Sequence, residues 1–469
     1  MSVRDVTQKS IRSLLALGLI YGFASCDKGP EPAAVRPKAK QVSTGVGGAS
    51  AVAREVTAQP AATTGQPSAG AANSSLGSRY AVSLGNVSAF KVPTGKAVKV
   101  PYAGKLYDEQ KQFDEVKSRF KPTAAQAYHV CASLAAPTKD FELSLYVNGA
   151  RESALANARN GVAQGCRTMR LKKAAQLEIW VTQATDGVIE FAPHESSSWL
   201  TLEPLTESLA LDSIEAFTPK AGEFAAVPFT TELYDIEKQF DAKTKRVTAA
   251  AAGDYRVCAA LESTAGDFEL DLAINGNREN GIAVSHQGLA AGCRTVRLAK
   301  GQFVGVLVHH ESTKIPVSFV PKKFYNWLTV DKIPTSGVLA DASLDNTSAF
   351  TVASGTPFKV LYVNKLYDDA GLFDLQTSRF KAQVPHDYHV CASATSLSKD
   401  FQLDIYINGT KEKSIATSVS GFATGCRTVR LNKSGDFLEV WASQSTLAPL
   451  PFDTNQFWNW MVVEPAHAL

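Results

Sequence analysis

The 469-residue chain states one motif three times, and that repetition limits the available folds more than any other feature. Leu106-Tyr107-Asp108, Phe113-Asp114 and Arg119 return as Leu233-Tyr234-Asp235, Phe240-Asp241 and Arg246, and again as Leu366-Tyr367-Asp368, Phe373-Asp374 and Arg379. The register holds downstream. Tyr128-x-Val130-Cys131, Asn148-Gly149 and Gly165-Cys166-Arg167-Thr168 have counterparts in Tyr255-x-Val257-Cys258, Asn275-Gly276 and Gly292-Cys293-Arg294-Thr295. The third set is Tyr388-x-Val390-Cys391, Asn408-Gly409 and Gly425-Cys426-Arg427-Thr428, and each copy closes near a tryptophan: Trp199, Trp327 or Trp460. The copies are placed at 80–205, 206–335 and 336–469, each the size of a domain rather than of a solenoid repeat.

Each copy holds two cysteines at one constant interval, so the six are expected to pair as Cys131–Cys166, Cys258–Cys293 and Cys391–Cys426, leaving Cys26 over. No copy has the short Cys-x-x-Cys or Cys/His spacing of a zinc site. The pattern within a copy is that of strands. Phe401-x-Leu403-x-Ile405-x-Ile407 alternates with period two and stops at Asn408-Gly409; Phe141-x-Leu143-x-Leu145 and Phe268-x-Leu270-x-Leu272 repeat it. Thr428–Leu431 and Phe437–Trp441 flank the turn Lys433-Ser434-Gly435-Asp436. The expected fold class is all-β: three tandem antiparallel jelly-roll or sandwich domains after a leader and a linker.

The leader is residues 1–25. Arg4, Lys9 and Arg12 precede an apolar run from Leu14 to Ala24, the layout of a secretory signal and too short for a membrane span. The run ends in Phe23-Ala24-Ser25-Cys26, which resembles the lipobox of bacterial lipoproteins, with Phe23 where Leu is usual. That resemblance implies lipidation of Cys26 and residence at a bacterial cell envelope, at the outer membrane or surface, with the lipid as the only anchor. Residues 27–79 lack Phe, Tyr, Trp and Ile and cannot bury enough apolar area to offset ordering, so they are expected to be a disordered tether. As a coil it spans on the order of 40 Å. The export signal also places the six paired cysteines where disulfides persist.

The third copy resembles a known family. Phe373-Asp374-x-x-Thr377-x-x-Phe380-x-Ala382-x-Val384-Pro385-x-x-Tyr388-x-Val390 is similar to the signature of the complement C1q-type globular head, within the tumour-necrosis-factor jelly-roll superfamily. Leu431-x-x-x-Gly435-Asp436 matches a later turn of that signature with one extra residue. Ser378 and His386 stand where the family has Gly, copy one has Lys172-Lys173-Ala174-Ala175 in place of the Gly-Asp turn, and the closing strands Phe324–Leu328 and Phe457–Met461 carry Asn where Gly is usual. The resemblance implies trimeric assembly of heads. A pseudo-threefold trimer inside one chain, with short connectors such as Leu202 to Asp212, is therefore one expectation, and three heads strung as beads are its alternative.

Asp108, Asp114, Asp235, Asp241, Asp368 and Asp374 suit Ca²⁺ or acid–base work by type, but their places at strand ends suit turn capping better. His309-His310-Glu311 occurs in one copy only and is read as surface polarity. His129 and His389 share a position held by Arg256 in copy two, which argues against a symmetric ligand ring. Arg119, Arg246, Arg379, Arg167, Arg294 and Arg427 are read as partners of nearby Asp residues rather than as clamps for acidic sugars. No phosphate loop and no Gly-x-Ser-x-Gly elbow occurs, and 48 basic against 45 acidic residues leaves no field for nucleic acid. The expectation is a non-enzymatic binding or adhesion protein with no cofactor, taking a protein or glycan ligand through loops that differ between copies, Asn157–Gln164, Gly281–Ala290 and Thr417–Thr424. A structural envelope scaffold and a carbohydrate-binding sandwich are the alternatives.

Overall fold

The structure, a computed structural model, describes residues 81–466 apart from 137–138, 159–160, 195, 206–208, 287, 312–315, 334–340, 397–399, 419–420, 447 and 453. Cys26, the leader 1–25 and the stretch 27–79 lie outside the described residues, so the lipid anchor and the tether gain no support from it. Among the described residues every regular element is a strand. No helix there is long and apolar enough to cross a membrane.

Each copy builds two large antiparallel sheets, and copies one and three add a two-stranded one, Phe90–Pro93 with Val188–Phe191 and Phe350–Val352 with Leu450–Phe452. In copy one a five-stranded sheet runs in the order Val162–Leu171, Gln126–Ala135, Trp199–Leu205, Val82–Val87, Tyr102–Tyr107. The second sheet runs Phe113–Asp114, Arg119–Phe120, Leu177–Thr182, Glu142–Val147, Ala150–Asn157, with Val98–Lys99 paired to Leu177–Thr182. Copies two and three repeat both orders. Period-two alternation explains the second sheet: Leu143 and Leu145 are buried against Leu84 and Val130 of the first sheet, while Glu142 faces outward. The turn Asn148-Gly149 has φ of 52° and 82°, the left-handed pair of a two-residue hairpin, and Asn275-Gly276 and Asn408-Gly409 match it.

The first sheet follows another rule. Gln126–Ala135 is buried almost throughout, because one face packs on its own second sheet and the other faces the neighbouring copies. Cys131, Cys166, Trp199, Cys258, Cys293, Trp327, Cys391, Cys426 and Trp460 form one cluster drawn from all three copies. The five-stranded sheets therefore line a common axis, and the six-stranded sheets stand outside them. The three disulfides form as paired, each across opposed strands with Cα atoms 4.1, 4.1 and 4.0 Å apart. By loop closure each is worth about 4 kcal/mol.

Two expectations are corrected by this arrangement. The likeness to C1q-type heads, and with it the fold class of three tandem jelly-roll domains, does not stand: six small antiparallel sheets are set about one axis as a propeller-like body of six blades. The blades are unequal, three of five strands inside and three of six outside. The sequence pointed wrongly because its motifs lie within single copies, whereas the residues that close the body act between copies. Leu202 to Asp212 is likewise strand on either side of residues 206–208, since Trp199–Leu205 and Leu209–Ile214 belong to adjacent five-stranded sheets.

Candidate functional site along the shared axis

One end of the axis opens into a cavity of about 50 Å³ lined by Asn157, Val162, Gln164, Leu289, Thr417 and Thr424, with smaller side chains between them. The three segments expected to differ between copies thus meet at one mouth. Copies one and three supply its amides and hydroxyls, and copy two supplies Ala283, Val284, Leu289 and Ala291. The volume accepts a water molecule or one inserted group, not a sugar ring. Gln164 donates from Nε2 to the Ile415 carbonyl of copy three, whereas Thr424 Oγ1 has no partner among the described residues. Just below, Gly165, Gly292 and Gly425 pass so near the backbones of Leu155, Ile282 and Ile415 that a Cβ would overlap a carbonyl.

Beneath the glycines the copies are joined by a closed ring of arginines on tryptophans. Arg167 of copy one lies over Trp327 of copy two at 4.8 Å, Arg294 over Trp460 at 4.5 Å, and Arg427 over Trp199 of copy one at 4.9 Å. All six side chains are buried, where such contacts are worth about 2 kcal/mol. Trp199 and Trp460 also donate from Nε1 to the carbonyls of Ser414 and Gly281, each at 2.9 Å. The Trp327 indole has no such acceptor among the described residues.

Further along lies a buried charge cluster. His129 and His389 meet edge to face at 4.8 Å, and Arg256 takes the third place. The Arg256 guanidinium pairs with Glu203 of copy one and Glu464 of copy three, and all three side chains are buried. Thr428 and Thr295 donate to Glu203 and Glu464. Burial, then the Arg256 charge, holds both imidazoles well below their ordinary value. Burial pushes the Asp331 carboxyl up to about 7, against the pull of Thr168 and Arg256. The cluster thus sets one guanidinium and two imidazoles held toward the neutral form against carboxyls of which burial pushes Asp331 and Glu464 upward.

The outer sheets carry a different feature. On copy one Tyr146 and Trp180 stand together at 4.9 Å and 30°, and on copy three Tyr406 and Trp441 do so at 4.8 Å and 29°. All four rings are half-buried. Each indole donates to a carboxylate at 3.0 Å, Trp180 to Glu178 and Trp441 to Glu439. Lys99 bonds Glu178 at 3.1 Å; Lys359 and Arg379 bond Glu439 at 3.2 and 2.8 Å. Burial opposes the charge on Glu439, but the bonds from Arg379, Trp441 and Lys359 outweigh it and hold the carboxyl below its usual range. Copy two has Ala273, Leu307 and Gly305 at these register positions.

The residues singled out in the sequence fall as follows. Asp108 accepts backbone N–H bonds from Gln112 and Phe113, and Asp235, Asp241, Asp368 and Asp374 hold turns in the same manner. His309 and His310 are buried, not surface groups; His309 bonds Glu269 at 2.6 Å and stacks on Phe224 at 4.4 Å. Arg119 lies 3.9 Å from Asp114 and Arg379 bonds Glu439, whereas Arg246 lies over Phe303 at 4.1 Å. Arg167, Arg294 and Arg427 sit on tryptophans of the next copy instead of on Asp. Cys166, Cys293 and Cys426 approach one another on the axis, but their sulfurs are consumed in disulfides and offer no metal ligands. Glu203, Asp331 and Glu464 escaped the sequence reading, although Trp-x-x-x-acid recurs in every copy.

No family model matches the chain, and no curated protein does. A solved structure of the M60 catalytic domain with the CBM51-1 and CBM51-2 domains of Clostridium perfringens ZmpB shows 9% identity over 74% of this chain and 33% of its own, with a TM-score of 0.18. The chain thus spans about a third of that structure's length. A likeness at that score has no bearing on fold or ligand.

Proposed function

We propose that the protein is a non-enzymatic binding protein of the bacterial cell envelope, held there through Cys26, and that its ligand is a glycan met by the outer sheets of copies one and three. The observation that carries this reading is the duplicated Tyr–Trp pair with its fixed carboxylate and cation. Half-exposed aromatic faces take the apolar face of a pyranose, and the cations that the carboxylates fix beside them, Lys99 on copy one and Lys359 and Arg379 on copy three, can donate to its hydroxyls. Two such places on one rigid body bind a polymer with avidity that neither has alone.

The test is a glycan array on the full chain, with Trp180→Ala and Trp441→Ala singly and together. Binding of a polysaccharide that weakens with each single change and is lost in the double variant supports the reading. An array with no glycan bound, or binding untouched by the double variant, refutes it and returns the outer sheets to packing with other envelope proteins.

A further inference from the structure

At the end of the body away from the axial mouth, two of the three seams between copies are built alike. In the seam between copies three and one, Arg430 lies over the ring of Tyr107 at 3.9 Å, is bound by its cross-strand neighbour Asp387 at 2.6 and 2.8 Å, and reaches Glu109 of copy one. In the seam between copies two and three, Arg297 lies over Tyr367 at 4.0 Å. It is bound by Asp254 at 2.8 and 3.1 Å, by Asp341 at 3.2 Å and by Asp369 at 2.8 Å. Each arginine is thus held by carboxylates from both sides of its seam.

Among the described residues the seam between copies one and two keeps the arginine and the tyrosine and lacks the acids. Arg170 occupies the place of Arg297 and Arg430, and its cross-strand neighbour is Ala127 where they have Asp254 and Asp387. Across the seam Ile236, 45% exposed, stands where Asp369 and Glu109 stand. Tyr234 faces this seam as its counterparts face theirs, since it lies within electrostatic reach of Arg167 just as Tyr367 does of Arg294 and Tyr107 of Arg427. Arg170 is exposed and makes no hydrogen bond or ion pair among the described residues.

We infer that the Arg170 seam is an open carboxylate site: it receives from a ligand the acidic group that the other two seams supply from the chain itself. A guanidinium presents a planar fork to a carboxylate, and both sister seams show the carboxylate the fork accepts, bound through two oxygens to Nε and Nη2. The ligand class is a carboxylate-bearing sugar, a uronic acid residue. Ala127, itself buried, offers Arg170 no carboxylate where Asp254 and Asp387 offer theirs, so the exposed guanidinium meets the entering molecule from outside, and Ile236 gives that molecule an apolar rim. Nothing here depends on the aromatic pairs of the outer sheets.

The experiment is saturation-transfer NMR on the full chain at low salt with glucuronate as probe and glucose as its uncharged control. Glucuronate is expected to receive saturation and glucose at this site is not. Arg170→Gln is expected to cut the glucuronate signal at least fivefold. Ala127→Asp is expected to do the same by closing the site from within, and to raise the melting temperature. Trp180→Ala/Trp441→Ala separates this site from the proposed glycan surface, because it leaves the Arg170-dependent signal in place. An equal glucuronate signal in wild type, Arg170→Gln and Ala127→Asp overturns the inference. No glucuronate signal in the wild-type chain overturns it too.

Discussion

Replacing Arg256 by Met tests the axial charge cluster most directly. Arg256 is the guanidinium between Glu203 and Glu464, all three side chains are buried, and the two carboxylates come from the copies on either side of it. Removing the guanidinium keeps the aliphatic volume but leaves two carboxylates in a dry interior with only Thr428 and Thr295 as donors. Stripping one partner from a buried pair costs about 3–5 kcal/mol. The stranded carboxylates escape part of that cost by taking up protons, and each proton taken relieves about 1.4 kcal/mol per pH unit. The loss of stability should therefore be largest at pH 8 and fall toward pH 5. Urea denaturation of wild type and variant at both pH values measures it. Glu203→Gln and Glu464→Gln added to Arg256→Met should restore much of the loss, because the interior then holds no uncompensated charge. A loss below about 1 kcal/mol at pH 8, or one that does not change with pH, would refute the account of how the three copies are tied together.

Asp331→Asn should change the stability profile between pH 4 and 7. The folded carboxyl is pushed up to about 7 against an ordinary value near 4, so over that range the folded state holds a proton that the unfolded chain has released. Its contribution is complete below pH 4 and is lost as pH rises to about 7, by up to about 4 kcal/mol, and the Asn variant should flatten the decline that denaturation shows between pH 4 and 7. His129 and His389 act in the opposite sense: both are held neutral, so stability is lost as pH falls below 6.5, and His389→Gln should lessen that fall in the same titration. Removing one disulfide as Cys391→Ala/Cys426→Ala should lower stability by about 4 kcal/mol, read as a shift in melting temperature. Cys26→Ala should move the full chain from the membrane to the soluble fraction; a variant that stays in the detergent phase would end the envelope-anchor proposal.

What could be read in the sequence is what lies within one copy. The period-two runs at Phe141, Phe268 and Phe401 became strands, the Asn-Gly pairs became left-handed turns, and a constant interval between cysteines became three disulfides. Each depends on residues close along the chain or on one sheet. The closure of the body was illegible for a complementary reason. Burial on both faces of Gln126–Ala135 removes the alternation that would have marked one side as facing something, so the run reads as core without saying whose core. Arg167 and Trp327 are 160 positions apart and belong to different copies, and no local pattern connects them. The arginines looked like partners for Asp because carboxylates are near in sequence; in the fold the nearest flat anion-free surface, an indole of the next copy, takes them instead. The seams could have been compared in advance only by asking which positions differ among copies, where Ala127 against Asp254 and Asp387 stands out.

The differences among copies have a physical reason that bears on function. In a trimer of separate identical chains, any residue near the axis appears three times, and an arginine at the place of Arg256 would bring three guanidiniums together in a dry interior. Like charges at such range cost several kcal/mol, so a symmetric assembly must keep that position neutral. A single chain is free of the constraint. It places one Arg256 beside two histidines and sets Asp331, in copy two, against Glu203 and Glu464 in the others, so one cation ties two carboxylates across two seams. The same freedom lets two seams close on their own carboxylates while Arg170 faces outward, and lets copy two give up the Tyr–Trp pair that copies one and three retain. Covalent linkage holds the copies together without requiring every seam to be equally strong, so a seam can lose its acids and still stay shut. Functional asymmetry is then to be sought where the copies disagree, and Arg170 and the outer aromatic pairs are two such places.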